Sequence, residues 1–242
     1  MKIERNIPLR TKVADHLREI ILQKYSDGTK IPTENQLAEE IGVSRGTVSQ
    51  ALSILNEEGI IDRIQGSGTY ANPHILQLKI RADLPFRLAG LIESSGYKPS
   101  ISIVDHQITS ASEETAENLK IPIGSRILML NRLYLADEEP AMFLIERFPT
   151  SILCDTYQPS ELQQMLYHFL PNRCNVHLKY TLSELVPTIA GKEIADYLNV
   201  NPESALLRCN EIHFDENNIP IADSTIFYKD ELIRFSILRK NN

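Results

Sequence analysis

Apolar residues at Leu9, Val13, Leu17, Ile20 and Ile21 recur at steps of three and four, predicting a helix over residues 8–24 with one buried face. Pro8 suits the first helical position, where its missing N–H costs nothing, and Ser26-Asp27-Gly28 ends the helix as a turn cluster. Thr33 with Gln36 three residues on forms a capping box, which starts a second helix buried through Leu37 and Ile41. Gly42 then allows a sharp exit. Ser44 caps a third helix whose Val48, Ala51, Leu52 and Leu55 face inward. Residues 60–64 and 69–70, joined by Gln65-Gly66-Ser67-Gly68, read as a β-hairpin.

Beyond Ala71 the pattern changes. Residues 72–83, with Pro73 and mixed side chains, read as a linker. Helices are expected at 86–95, 113–119, 161–170 and 190–198, and strands at 101–108, 126–136, 141–148, 205–214 and 221–228. Asp137-Glu138-Glu139-Pro140 and Asp215-Glu216-Asn217-Asn218 supply hairpin turns. A weak repeat runs through this part. Ala116 to Pro122, the strand through Arg132 and the turn at Asp137 are echoed by Ala195 to Asn201, the strand through Arg208 and the turn at Asp215. Such duplication predicts one antiparallel sheet built from related halves, with a cleft where they meet. The fold class expected is therefore α+β, an N-terminal winged helix-turn-helix over 1–71 and a C-terminal antiparallel-sheet domain over 84–242.

At 242 residues the chain is long enough for two modest cores. No apolar run approaches the roughly 18 residues of a membrane helix and the first residues lack a signal-peptide core, so no membrane partner and a cytoplasmic location are expected. Cys154, Cys174 and Cys209 have neither CxxC spacing nor close neighbours, which favours inert thiols over a disulfide framework or zinc site. Six scattered histidines show no metal spacing, and neither a P-loop nor a GxSxG elbow is present, so no cofactor, metal or catalytic residue is assigned. The net charge of −7 is unhelpful for holding phosphates. Its distribution changes that conclusion, because Arg5, Arg10, Lys12, Arg45 and Arg63 lie in or beside the N-terminal unit while acidic residues crowd elsewhere.

The third helix leaves Arg45, Gly46, Thr47, Ser49 and Gln50 near its exposed start, the end that meets base edges in helix-turn-helix docking. Arg45 can reach guanine O6 and N7 bidentately, and the Thr47 methyl can touch a thymine methyl. Taken alone, Arg45 is equally a solvated helix-start residue, and Gly66-Ser67-Gly68 equally a plain tight turn. The short spacing between helices and Gly46, which admits a close phosphate, favour the DNA reading.

Pro32-x-Glu34, Val43-Ser44-Arg45-x-Thr47, Ala51-Leu52, Leu55, Glu58-Gly59 and Gly66-x-Gly68-Thr69 together resemble the winged helix of GntR-type bacterial transcription regulators over residues 8–71. The resemblance implies DNA contact by Ser44, Arg45 and Thr47, with Gly66 at the wing beside the polar Gln65; many members carry an arginine at the position of Ser49 and a basic or polar residue at that of Asn35. Residues 84–236, through Arg132-x-Tyr134-x-Ala136-Asp137, Glu146 and Tyr228-Lys229, are similar to the effector (UTRA) domain of the HutC-like subfamily, which shares its fold with chorismate lyase. Members that sense sugar phosphates carry Arg-x-Arg where this chain has Arg132-x-Tyr134, and Ser-Phe-Thr where it has Arg87-Leu88-Ala89. The resemblance thus implies a small-molecule effector at Arg132, Tyr134, Glu146, Ser224 and Tyr228, with Arg87 as an anion clamp, but without those phosphate donors. Arg132 and Glu146 can as readily pair across a hairpin, and Tyr228 can as readily pack. The function implied is a homodimeric, ligand-responsive regulator, a repressor released by a metabolite from an inverted-repeat operator. The competing class is a lyase-like enzyme domain joined to a winged-helix partner-binding module; no acid and base pair in the sequence supports it.

Overall fold

The structure is a computed structural model in which residues 8–78, 80–84, 87–154 and 158–239 are described. Arg5, counted above among the basic side chains, and Phe86, expected to open a helix, lie outside them. The chain divides into two compact units, Met1–Pro85 with Phe235–Asn242, and Phe86–Arg234.

In the first unit, α1 (Leu9–Lys24), α2 (Glu34–Ile41) and α3 (Arg45–Glu57) precede a hairpin of β1 (Ile61–Ile64) and β2 (Gly68–Ala71). Val13, Leu17 and Ile21 of α1 meet Leu37, Val48, Leu52, Leu55 and Ile61 in one dry core. Leu9, expected on that face, is instead mostly exposed at the start of α1. Thr33 and Gln36 form both bonds of the capping box, and Gly42 ends α2 in the left-handed conformation that glycine adopts without a Cβ penalty. At Gly68 the need is steric as well: φ is +129°, and a Cβ would lie 2.3 Å from Lys30 Cε. The span 72–83, expected to be a linker, contains the short helix α4 (Pro73–Leu76), whose Ile75 and Leu76 pack on this core, and Ser236 bridges to Arg81.

The second unit is a six-stranded antiparallel sheet in the order β3 (Pro99–Ser110), β4 (Arg126–Ala136), β5 (Glu139–Pro149), β8 (Pro220–Tyr228), β7 (Ala205–Asp215), β6 (Leu178–Ile189). Short helix α5 (Leu88–Ser94) leads into β3. Helix α6 (Glu113–Leu119) separates β3 from β4, and α8 (Gly191–Leu198) separates β6 from β7. The order is unchanged when the halves are exchanged, which is the expected duplication, and its axis falls between β5 and β8. The two-residue turn Asp137-Glu138 has positive φ at both positions, as a tight hairpin requires.

Three sequence expectations are corrected. Residues 161–170 are not a regular helix: Pro159–Gln164 is a 3-10 stretch and Met165–Phe169 a π turn, followed by α7 (Leu170–Cys174). Leu162, Met165, Leu166 and Phe169 still pack on the sheet, so the spacing of apolar residues was read correctly and the helix type was not. Strand β6 was not anticipated because Pro187 and a half-exposed, charged sequence mask it; Pro187 is tolerated because β6 is an edge. Cys154 and Cys174, expected as inert thiols, are joined in a disulfide, while Cys209 is buried and unpaired. Twenty residues separate the pair, so only the tertiary fold brings them together.

The capping box is the local feature on which α2 most depends. Thr33→Ala should lower stability by about 1 kcal/mol, read as a lower midpoint in chemical denaturation with an unchanged slope.

Candidate DNA-reading and effector sites

The start of α3 is built by Ser44, whose Oγ accepts from Thr47 N–H at 3.1 Å and lies 2.8 Å from Thr47 Oγ1. Ser44, Arg45 and Gly46 are exposed, Thr47 and Ser49 half-buried. A Cβ on Gly46 would approach only Ser44 Oγ, at 3.8 Å, so nothing in the fold itself demands glycine there. Asn35 is exposed on α2, and Gln65 and Gly66 at the tip of the hairpin.

Glu34 ties these parts together. Its carboxylate receives Arg45 Nε at 3.0 Å, Ser49 Oγ at 2.9 Å and Arg63 Nη2 at 2.7 Å, so residues from α2, α3 and β1 converge on one anion. Burial pushes this carboxyl up, but the hydrogen bonds from Arg45 and Ser49 and the charge of Arg63 outweigh it and hold it below its ordinary value. An exposed ion pair contributes about 0–1 kcal/mol, whereas a bidentate arginine–guanine contact contributes roughly 1–3 kcal/mol. Arg45, with its side chain 69% exposed, can therefore leave Glu34 for a base. Neither Glu34 nor Arg63 was singled out as a site residue from the sequence; the available signal was Glu34 directly after the cap of α2.

In the second unit the register fixes the site. Arg132 and Tyr134 of β4, Glu146 of β5, Ser224 and Tyr228 of β8 all point to one face of the sheet. That face also carries Cys209, Glu211 and His213 of β7 and Thr181 and Ser183 of β6. Arg132 and Glu146, both buried, form the anticipated ion pair, as diagonal neighbours across the hairpin. Arg132 Nη1 also donates to the carbonyl oxygens of Leu162 and Gln163, while its buried Nε has no hydrogen-bond partner among the described residues. Residues 159–174 thus cover the cluster. Tyr134 is buried and its hydroxyl pushed up to about 12, chiefly by burial. Arg87, exposed, stands 5.3 Å from the ring centroid of Tyr167 at the edge of the cluster.

Sequence reasoning missed Glu211, His213 and Tyr167. The alternation Cys209-Glu211-His213, polar residues at every second position of a strand that also repeats β4, was the signal that could have found the first two. Glu211 accepts from Ser183 Oγ at 2.8 Å, and its Oε2 lies 3.6 Å from His213 Nε2. His213 is satisfied at both ring nitrogens, by Thr181 Oγ1 at 2.9 Å and Ser224 Oγ at 3.0 Å, and burial lowers its pKa to about 4. The opposite face carries α6 and a polar cavity of about 350 Å³ bordered by Glu114, Asn118, Arg147, Asn210, Asp223 and Thr225, and reached also by Ser183 and Glu211. None of the effector residues anticipated from the sequence borders it.

A recognition helix with a wing, joined to a duplicated sheet that buries a polar cluster, defines a one-component regulator. Residues 9–71 match the bacterial regulatory proteins of the gntR family and residues 94–234, more than half of the chain, match the UTRA domain; the chain belongs to the GntR-type regulators that carry this domain. It is 28% identical to the uncharacterized HTH-type transcriptional regulator YurK of Bacillus subtilis, over 96% of this chain and 93% of that protein. It is 24% identical to the transcriptional repressor NagR of the same organism, over 95% and 93%. In fold it is similar to the crystal structure of the possible transcriptional regulator YydK from Bacillus subtilis, with a TM-score of 0.78 over 97% of this chain and all of that one, at 18% identity. The protein is a ligand-responsive DNA-binding transcription regulator.

The depressed His213 pKa has a definite consequence for stability. The unfolded chain binds this proton near pH 6.5 and the folded chain only near 4, so His213 opposes folding increasingly as pH falls between those values, by up to roughly 3 kcal/mol. Urea denaturation at pH 7 and pH 4.5 should show a smaller acid loss of stability in His213→Gln than in the wild type.

Proposed function

We propose that this regulator is a cytoplasmic homodimeric repressor that binds an inverted-repeat operator and is released by a small-molecule effector. Residues 1–71 read DNA, 72–83 connect, and 84–242 bind effector and dimerise. The exposed start of α3 carries this reading, with Arg45 held only by a weak surface pair that a base can replace. Ser44, Gly46 and Thr47 meet the backbone and base edges beside it, while Asn35, Ser49, Gln65 and Gly66 frame the contact. A twofold dimer matches the symmetry of an inverted repeat. Two of the relatives, NagR and the mannosyl-D-glycerate system regulator MngR of Escherichia coli, are repressors, which supports that sign of control.

The effector enters among Arg132, Tyr134, Glu146, Ser224 and Tyr228, with Arg87 at the edge. A ligand oxygen takes the place of the Leu162 and Gln163 carbonyls on the Arg132 guanidinium, so the covering residues 159–174 settle differently with and without ligand. Only a ligand that binds the two arrangements unequally can shift DNA affinity. A cytoplasmic location also places the Cys154–Cys174 disulfide among reducing thiols, where such bonds are usually transient.

Arg45→Ala should lose selective operator binding, a weakening of roughly 5- to 150-fold corresponding to 1–3 kcal/mol, in a shift assay at fixed salt; unchanged selectivity removes Arg45 from base reading. For the effector, a metabolite that raises the melting temperature of the full chain should fail to do so in Arg132→Ala.

A further inference from the structure

The buried cluster of the second unit holds two carboxyl groups and one guanidinium. Arg132 contacts Glu146 directly, and its remaining Nη1 donor is spent on backbone carbonyls. Glu211, only 9% exposed, is left with a hydroxyl from Ser183, the weak donor Cys209 Sγ at 3.7 Å and the ring of His213. His213 is not a counter-charge, because hydroxyls occupy both nitrogens and burial keeps the ring neutral. Arg87 is exposed against the Tyr167 ring, and no arginine or lysine among the described residues lies within ion-pair distance of Glu211. Burial first, and then the nearby Glu146 charge, push the Glu211 carboxyl above its ordinary value. Ser224 and then Glu146 stand beside Glu211 across the adjacent strands, so the two carboxyls share one row of the sheet.

A buried carboxyl without a cation is costly to the protein alone, and an ammonium group is the ligand group that relieves that cost. Resting on the effector-site reading above, we infer that the ligand carries a protonated amine, which pairs with Glu211. Its hydrogen-bond acceptor meets Arg132 Nε, the buried donor that has no partner among the described residues. The deep site holds two carboxyls against one guanidinium, a surplus of negative charge rather than an anion cradle. When Glu211 is protonated in the free protein, binding the amine returns that proton to solvent.

The test uses the smallest such probe, methylammonium chloride, on the full chain in thermal unfolding, against sodium chloride and sodium phosphate at equal ionic strength. Methylammonium should raise the melting temperature of the wild type by roughly 2–4 °C over sodium chloride and leave Glu211→Gln unmoved, with Glu211→Asp retaining part of the rise. In sodium chloride alone, Glu211→Gln should melt no lower than the wild type, because it removes an uncompensated buried charge while keeping the side-chain shape. Absence of a methylammonium shift in the wild type, or an equal shift in Glu211→Gln, overturns the inference. If phosphate alone stabilises the wild type and Arg132→Ala abolishes that gain, the amine assignment fails while the effector-site reading stands.

Discussion

A charge taken out of water must meet a partner or be neutralised, and the interior of the second unit is organised around that requirement. Arg132 stands on β4 beside the apolar side chains Leu128, Leu130 and Phe148. Glu146 on the adjacent strand and the carbonyls of Leu162 and Gln163 on the covering segment together accommodate it. The 3-10 and π turns of residues 159–169 leave the Leu162 and Gln163 carbonyls free to accept from the guanidinium while Leu162, Met165, Leu166 and Phe169 stay on the sheet. The buried polar cluster and its cover are thus held by one set of polar contacts.

The DNA-reading unit uses the same pairing in a different dielectric. Glu34 gathers Arg45, Ser49 and Arg63 at the surface, where water screens the pairs and none is strong. Glu34 thus orders both arginines without fixing them in place. Buried Glu211 is the converse case: few contacts, low exposure and no arginine or lysine within ion-pair distance among the described residues. The overall charge of −7 says little about either site, because each depends on a handful of local groups.

Much of this arrangement was legible in the sequence. The helical periods of α1 to α3, the cap at Thr33, the glycine at Gly42 and the turn at Asp137-Glu138 are local signals, decided within a few residues by backbone sterics and side-chain hydrogen bonds. So is the pairing of Arg132 with Glu146, because a short hairpin fixes which residues become neighbours. The duplication of the sheet was visible as a repeat in order and turn chemistry.

What the sequence by itself determined, then, was the reading head, the α+β class, and the strand on which each anticipated polar residue sits. The tertiary structure alone decided that Glu211 and His213 join Arg132, although 79 and 81 positions away, because contacts between β5 and β8 depend on how the two halves meet. It also decided the Cys154–Cys174 disulfide, the edge strand β6 and the irregular cover over the cluster. These rest on distances between chain-remote atoms, which no local pattern of apolar and polar residues encodes.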